Sequence, residues 1–209
     1  MKVELIEQLG TDLTVVNAAR VSFNKRHEYL EDADEKLIKY LAVHGHWTPF
    51  AHPQLQFRIS APIFVARQLV KHQIGLVWNE VSRRYVDYEP EYYVPSSGQW
   101  RGKPTKAKQG SEGTMEIFGQ TEKAVSDILA QCTYIYKELL EQGVAPEQAR
   151  LVLPQAMYTE WYWTGSLAAF ARVCTLRLSS DAQEETREIA RQIGDFCAKL
   201  FPISWKYLV

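Results

Sequence analysis

What the chain lacks narrows it first. No stretch approaches the roughly 18 consecutive apolar residues of a membrane-spanning helix. The N-terminus, "MKVELIEQLG", alternates apolar and polar residues and carries no continuous apolar core of a secretion signal. A cytoplasmic protein with no membrane partner is therefore expected. The three cysteines, Cys132, Cys174 and Cys197, are odd in number and show no Cys-x-x-Cys spacing, which argues against a disulfide framework or a zinc ribbon. Neither G-x-G-x-x-G nor G-x-x-x-x-G-K-[ST] occurs, so a bound nucleotide has to be held in some other way. With a formal net charge of −1 there is no broad basic excess, and no nucleic-acid partner is expected. No internal repeat is present.

What remains is the composition of an ordinary globular chain, 46% hydrophobic and 23% charged, long enough at 209 residues to bury one sizeable core. One domain over 1–209 suffices. The pattern predicts a first strand at the N-terminus and a helix over 11–20 capped by Thr11, with Leu13, Val16 and Ala19 on one face. A second helix over 31–45 carries Leu37, Ile38 and Leu41 inward and stops at Gly45. "LQFRIS" alternates as a strand. Pro62 opens a helix over 62–75, and 95–113, rich in Gly, Pro, Ser and Lys, reads as a mobile loop. A long helix over 114–142 buries Phe118, Val125, Ile128, Leu129, Cys132, Ile135 and Leu139. A shorter one over 145–163 is interrupted at Pro154. The last helix, 182–200, turns Ile189, Ile193, Phe196 and Leu200 inward and is capped by Ser180 or Asp181, with Gln183 and Glu184 placed for a capping box. Several helices around a small antiparallel sheet make an α+β fold.

The chemistry concentrates in "RQLVKHQIGLVWNEVSRRY" (67–85), which holds four basic residues and one acidic one. On a helix, Arg67 and Lys71, and Gln68 and His72, are i,i+4 pairs, and two like charges so placed repel unless an anion lies between them. Arg83 and Arg84 follow, and Arg150, Arg172 and Arg177 stand on the C-terminal segments. Their planar forks suit phosphate and the carbonyl edge of a uracil-like base. His44, His46 and His52 have no carboxylate or cysteine at ligand spacing, so no metal is expected and backbone-bonded imidazoles are the simpler account. Cys132 and Cys197 fall on apolar stripes as small hydrophobes; Cys174, three residues before Arg177, is the only one to consider for reactivity, and a structural role is the expectation for all three. "YTEWYWTG" (158–165) reads as core or interface.

In this order and spacing, "NAARVSF" (17–23), "LIKYLAVHGHWTPFAH" (37–52), "APIFVARQ" (61–68), "NEVSRRY" (79–85), "ARLVLPQAMYTEWYWT" (149–164) and "LR…AQEE" (176–185) resemble the flavin-dependent thymidylate synthases. The resemblance implies an FAD-dependent methyltransferase that converts dUMP to dTMP. Methylenetetrahydrofolate would supply the carbon and NADPH the electrons, in a homotetramer with shared active sites. It places dUMP against Gln68, Lys71, Glu80, Ser82, Arg83 and Arg84, with Arg150 reaching the phosphate from another subunit. Arg177 becomes the catalytic group, favouring the N3-ionised pyrimidine. FAD falls to Ser22, His46, Thr48, Lys71, His72, Gln73, Asn79, Glu80, Ser166 and Arg172. The chain departs from the family pattern at Lys71-His72-Gln73, which stands for Arg-His-Arg, and in the eight residues (74–81) before Ser82, where the pattern has seven. It departs again at Ala51, Ser166, Ala168, Arg172 and Asp181. Two alternatives stay open: a paralogue that modifies another pyrimidine or leaves a hydroxymethyl group, and a non-catalytic nucleotide-binding protein.

Overall fold

The structure is a computed structural model describing residues 1–106 and 108–209. The strands are β1 (Lys2–Leu9), β2 (Gln54–Pro62), β3 (Leu76–Glu80), β4 (Arg101–Gly102), β5 (Glu112–Thr114) and β6 (Tyr158–Ser166). The helices are α1 (Asp12–Arg20), α2 (Asp32–Val43), α3 (Ile63–Leu69), α4 (Gly119–Glu141), α5 (Pro146–Ala149), α6 (Leu167–Arg177), α7 (Glu184–Leu200) and α8 (Pro202–Leu208). One antiparallel sheet in the order β1-β2-β6-β3 supports the site, and β4 pairs with β5 apart from it. The fold is α+β, as the pattern predicts.

Strand periodicity decides which face is buried. Leu55, Phe57, Ile59 and Ala61 of β2 and Trp161 and Trp163 of β6 point to the helices and are buried. Their neighbours face out, where Arg58 donates to Glu160 at 2.5 Å and Gln56 to Thr164 at 2.9 Å. Against the inner face lies α6, whose Phe170 meets Phe57 and Trp163 edge-on at 5.0 and 5.4 Å. α7 adds Ile189, Ala190, Ile193 and Cys197, while Phe196 and Leu200 are only half-buried. The buried Asp12 carboxylate accepts the Ile203 and Ser204 N–H groups, both at 2.9 Å, and so satisfies two orphan donors at the start of α8.

Thr11 caps α1 and Gly45, at φ +70, ends α2 as expected. Elsewhere tertiary pairing overrides the local pattern. The helix expected over 62–75 ends at Leu69, because the chain is drawn back to pair along β6. Gly75 (φ +74) makes the turn; a Cβ there would lie 3.3 Å from the Ala169 Cβ. Trp78 of β3 then stacks on Trp161 at 4.3 Å. Lys71 and His72 thus lie beyond α3, on a turn and not on the continuous helix that the i,i+4 reading assumes.

The helix expected over 145–163 is α5, a 3-10 turn (Arg150–Val152) and then strand β6, where alternation outweighs helical spacing. The long helix starts at Gly119, since Glu112–Thr114 pair with Arg101–Gly102 inside the expected loop; Ala107 of that loop lies outside the described residues. Its buried residues are Leu129 and Tyr136; Val125, Cys132, Ile135 and Leu139 are only half-buried, and Phe118 and Ile128 are 85% and 64% exposed. The cap of α7 is Gln183, not Ser180 or Asp181. α6 has no counterpart among the expected elements. Seven of its eleven residues are buried and one of the three exposed ones, Leu176, is apolar, so little amphipathic contrast is left to read.

Candidate active site

Most of the predicted residues fall into two groups at opposite ends of α3, whose seven residues span about 10 Å. The first group lies where α3 and α6 end. Arg177, in the last turn of α6, donates its Nε–H to His72 Nε2 at 2.9 Å. Burial, together with the nearby Arg177 and Arg172 guanidinium groups, holds the His72 pKa below its ordinary value. The imidazole is therefore neutral near pH 7 and can accept that bond. Arg172 Nη2 donates to the Ile74 carbonyl at 2.5 Å and pins the turn into β3. Ser166 is buried and accepts the Ala169 N–H at 3.2 Å as the cap of α6. Lys71 and Gln73 are exposed. Gln68 sits one turn before His72; its Nε2 donates to Gln183 Oε1, and its Oε1 accepts from the Thr186 hydroxyl at 3.3 Å.

The second group surrounds the start of α3 and the end of β3. Glu80 accepts from the Thr159 hydroxyl at 2.7 Å and from Trp78 Nε1 at 3.1 Å, so both carboxylate oxygens are oriented. Arg83 is 6% exposed, lies 4.2 Å over the Tyr88 ring and donates to the Tyr88 carbonyl. Its buried Nη2 has no partner among the described residues. Arg83 lines a cavity of about 130 Å³ with Glu80, Arg150, Tyr158 and Thr159. The Ser82 hydroxyl accepts the Arg84 N–H at 3.3 Å. Arg84 Nε meets Glu147 at 3.3 Å, and Arg150 Nε donates to the Glu147 carbonyl at 3.2 Å. Arg150, expected from another subunit, thus stands beside Glu80, Arg83 and Arg84 of its own chain. Gln68, expected with them, belongs to the first group.

The remaining predicted flavin residues are dispersed. Ser22 lies on the exposed 3-10 turn Val21–Phe23. His46 and Thr48 flank Trp47 and are exposed. Asn79 pairs opposite Tyr162 on the outer face of the sheet, one pleat away from Glu80. Trp47, Ala168, Ala171, Arg172, Thr175, Leu176 and Leu208 line an apolar groove of about 280 Å³. His44 bonds the Tyr40 carbonyl at 2.8 Å as expected. Cys174 is fully buried with its Sγ donating to the Ala190 carbonyl at 3.4 Å; burial pushes its thiol up to about 12, and that of Cys197 is raised by the same cause.

Four further residues connect to this site and are absent from the predicted set: Tyr93, Arg101, Gln183 and Glu185. Glu185 is buried yet accepts from Tyr93 Oη at 3.1 Å, Gln183 Nε2 at 3.0 Å and Arg101 Nη2. Burial alone would raise its pKa, but hydrogen bonds led by that from Arg101 bring it below the ordinary carboxylate value, so it is ionised. The signal lies within "AQEE", where Gln183 and Glu185 serve equally well as parts of a helix start.

Residues 4–203 match the family described as thymidylate synthase complementing protein. The chain is 36% identical over 204 residues to a flavin-dependent thymidylate synthase from Kosmotoga olearia, covering 98% of this chain and 88% of that one. It is 39% identical to a flavin-dependent thymidylate synthase from Thermus thermophilus, covering 97% of this chain and 73% of that one. Among solved structures it superposes with a TM-score of 0.88, at 32% identity, on the UMP/dUMP methylase PolB from Streptomyces cacaoi bound with 5-Br dUMP, covering 99% of this chain and 93% of that one. The chain belongs to the flavin-dependent thymidylate synthase family of methyltransferase enzymes.

Proposed function

We propose that this enzyme methylates dUMP at C5 to give dTMP. Methylenetetrahydrofolate donates a carbon at the formaldehyde level and leaves as tetrahydrofolate, and NADPH, by way of FAD, supplies the two electrons that take that carbon to a methyl group. The observation that carries the nucleotide reading is the orphaned Arg83 Nη2 in a cavity shared with Arg150. A buried donor without a partner is costly, and an anion such as a nucleotide phosphate would supply one. Arg84 and Ser82 stand at the same end of β3 to complete that grip, and Glu80, already oriented, supports the sugar side.

The pyrimidine falls to the other group. Arg177 commits Nε to His72, and its Nη groups have no hydrogen-bond partner among the described residues. A fixed guanidinium there favours negative charge on the ring and raises electron density at C5. With Cys174 and Cys197 buried and their thiols raised, no cysteine nucleophile is assigned. Because the phosphate and pyrimidine groups lie at opposite ends of α3, a single nucleotide is best spanned by groups from two subunits. The homotetramer that the family resemblance implies would let two subunits share each site in this way. The exposed apolar side chains Phe118 and Ile128 on and before α4 suit such contacts.

The residues present fit a flavin dinucleotide. Lys71 and Arg172 provide cationic donors for phosphates, Gln73, Thr48 and His46 provide exposed polar groups, and the groove between Trp47 and Leu176 offers an apolar wall for a ring. Ser166, though committed as a cap acceptor, keeps its hydroxyl hydrogen. When bound, the reduced flavin supplies the hydride.

Anaerobic turnover of dUMP with FAD, NADPH and methylenetetrahydrofolate, followed by product mass, tests the reading. dTMP is expected; its absence with the flavin saturated would refute it. A hydroxymethyl product would favour the paralogue, and no flavin absorbance after adding FAD would favour a non-catalytic protein. The related UMP/dUMP methylase has also been solved with 5-Br UMP, at a TM-score of 0.85 and 29% identity, so UMP belongs in the same assay as a second substrate.

A further inference from the structure

A glutamine amide can read a pyrimidine edge only if its two ends are told apart, and the surroundings must do that because the ends are nearly the same size and shape. In this chain the decision starts at Glu185. This carboxylate is buried and acceptor-only, and it is filled by donors: the Tyr93 hydroxyl at 3.1 Å and the Arg101 guanidinium. Gln183 can approach it only with Nε2, which it does at 3.0 Å. The Gln183 Oε1 is thereby turned toward Gln68 and accepts from Gln68 Nε2. The Gln68 Oε1 then accepts from the buried Thr186 hydroxyl at 3.3 Å. Thr186 could donate or accept, so it follows the orientation and does not set it. Every polarity in the chain from Arg101 to Gln68 is fixed by one ionised group. Inverting either amide would set acceptor against acceptor.

We propose that Glu185 is a positioning residue that locks the Gln68 amide in the sense that accepts a uracil edge and rejects a cytosine edge. The proposal rests on the assignment of Gln68 to the nucleotide. Each amide atom of Gln68 has one bond inside the chain, which leaves one Nε2 hydrogen and one Oε1 lone pair for a ligand. Uracil and cytosine differ at position 4, where a carbonyl acceptor is replaced by an amino donor. A locked Nε2–H matches the first and opposes the second; a free amide would invert and serve both. Discrimination from one such mismatch is about tenfold or more. The device draws on a part of the sequence outside the family-like blocks. Tyr93 and Arg101 lie between "NEVSRRY" and "ARLVLPQ", and Arg101 is braced from β4 by its Nε–H to the Ser111 hydroxyl at 2.8 Å. With Gln183 and Glu185 they line a cavity of about 530 Å³, although Glu185 itself is only 5% exposed.

The test compares dissociation constants of dUMP and dCMP for the FAD-loaded enzyme, the Glu185→Gln variant and the Gln183→Met variant, by titration calorimetry. Glu185→Gln frees Gln183 to invert, while Gln183→Met leaves Gln68 with Thr186 alone. The dCMP-to-dUMP ratio of dissociation constants should fall by about tenfold in each, much of it from tighter dCMP binding. A merely structural role would weaken both nucleotides together and leave the ratio unchanged, and that result overturns the proposal. If Glu185→Gln fails to fold because Arg101 loses its counter-charge, Gln183→Met decides alone, since it removes no charge and sits at a half-buried helix cap. Wild-type enzyme that binds no dUMP would defeat the nucleotide assignment itself. Wild-type preference for dUMP with an unmoved ratio in both variants would defeat only the relay.

Discussion

Replacing Arg177 and Cys174 separately by alanine distinguishes two ways of activating a pyrimidine. Arg177 ends α6 with Nε bonded to His72 at 2.9 Å, and its removal deletes that bond and the two Nη donors assigned to the ring. Loss of one donor aimed at developing negative charge costs about 3–4 kcal/mol, or roughly 10²–10³ in kcat. The side chain is half-buried and supports no core packing, so the fold should lose about 1 kcal/mol or less. Cys174 is the reverse case. Its Sγ is buried and tied to the Ala190 carbonyl at 3.4 Å, and burial raises the thiol to about 12, so the thiolate is negligible at neutral pH. Truncation removes one buried atom, worth about 1–2 kcal/mol and a melting temperature lower by roughly 2–8 °C. Turnover should stay within about threefold of wild type, because the thiol touches no reacting group. The assay is anaerobic dTMP formation beside thermal unfolding followed by circular dichroism. A folded Cys174→Ala enzyme without activity, together with an active Arg177→Ala enzyme, would refute the mechanism.

Acid should disable the same site through His72. Its pKa is depressed in the fold, so the neutral imidazole that accepts from Arg177 is fully present above about 6.5, the unfolded value, and is lost as pH falls through the lower folded value. The pH profile of kcat/KM should therefore be level near neutrality and show an acid limb below 6.5 that disappears in His72→Gln; an identical limb in the variant rules His72 out as its source. At the other end of the chain, Asp12→Ala strips the acceptor from the Ile203 and Ser204 N–H groups, two buried bonds at 2.9 Å. Stability should drop by about 2–4 kcal/mol, read as a melting temperature lower by roughly 5–15 °C, with Asp12→Asn intermediate. A loss below about 1 kcal/mol would mean that α8 is held by packing alone.

The sheet is legible where side chains alternate at a buried face. "LQFRIS" reads correctly because Leu55, Phe57 and Ile59 leave no other solution. "YTEWYW" obeys the same period and its aromatics suit a strand, yet it follows the helical start at "PEQA" and is absorbed into a helical reading that Pro154 only interrupts. The pairing partners of β6, which settle the matter, are more than 70 residues away in the sequence. α6 is invisible for the opposite reason: seven of its eleven residues are buried and its exposed side carries only Arg172, Thr175 and the apolar Leu176, too few polar residues to set the phase.

The site shows the same limit in chemical terms. Residues 67–85 look like one basic cluster when written out, and most of its polar residues invite assignment to a ligand. In space Gly75 reverses the chain, and β3 carries Glu80, Ser82 and Arg84 away from Gln68, His72 and Arg177. Sequence adjacency nominates the candidate residues but not their partition in space. Under the proposed assignment, that partition has a consequence for function. Two arginine-bearing groups that the backbone holds at opposite ends of α3 are poorly placed to grip one nucleotide from a single chain. The short segment that looks like a complete binding motif then contributes one half to each of two sites, and a neighbouring subunit completes each.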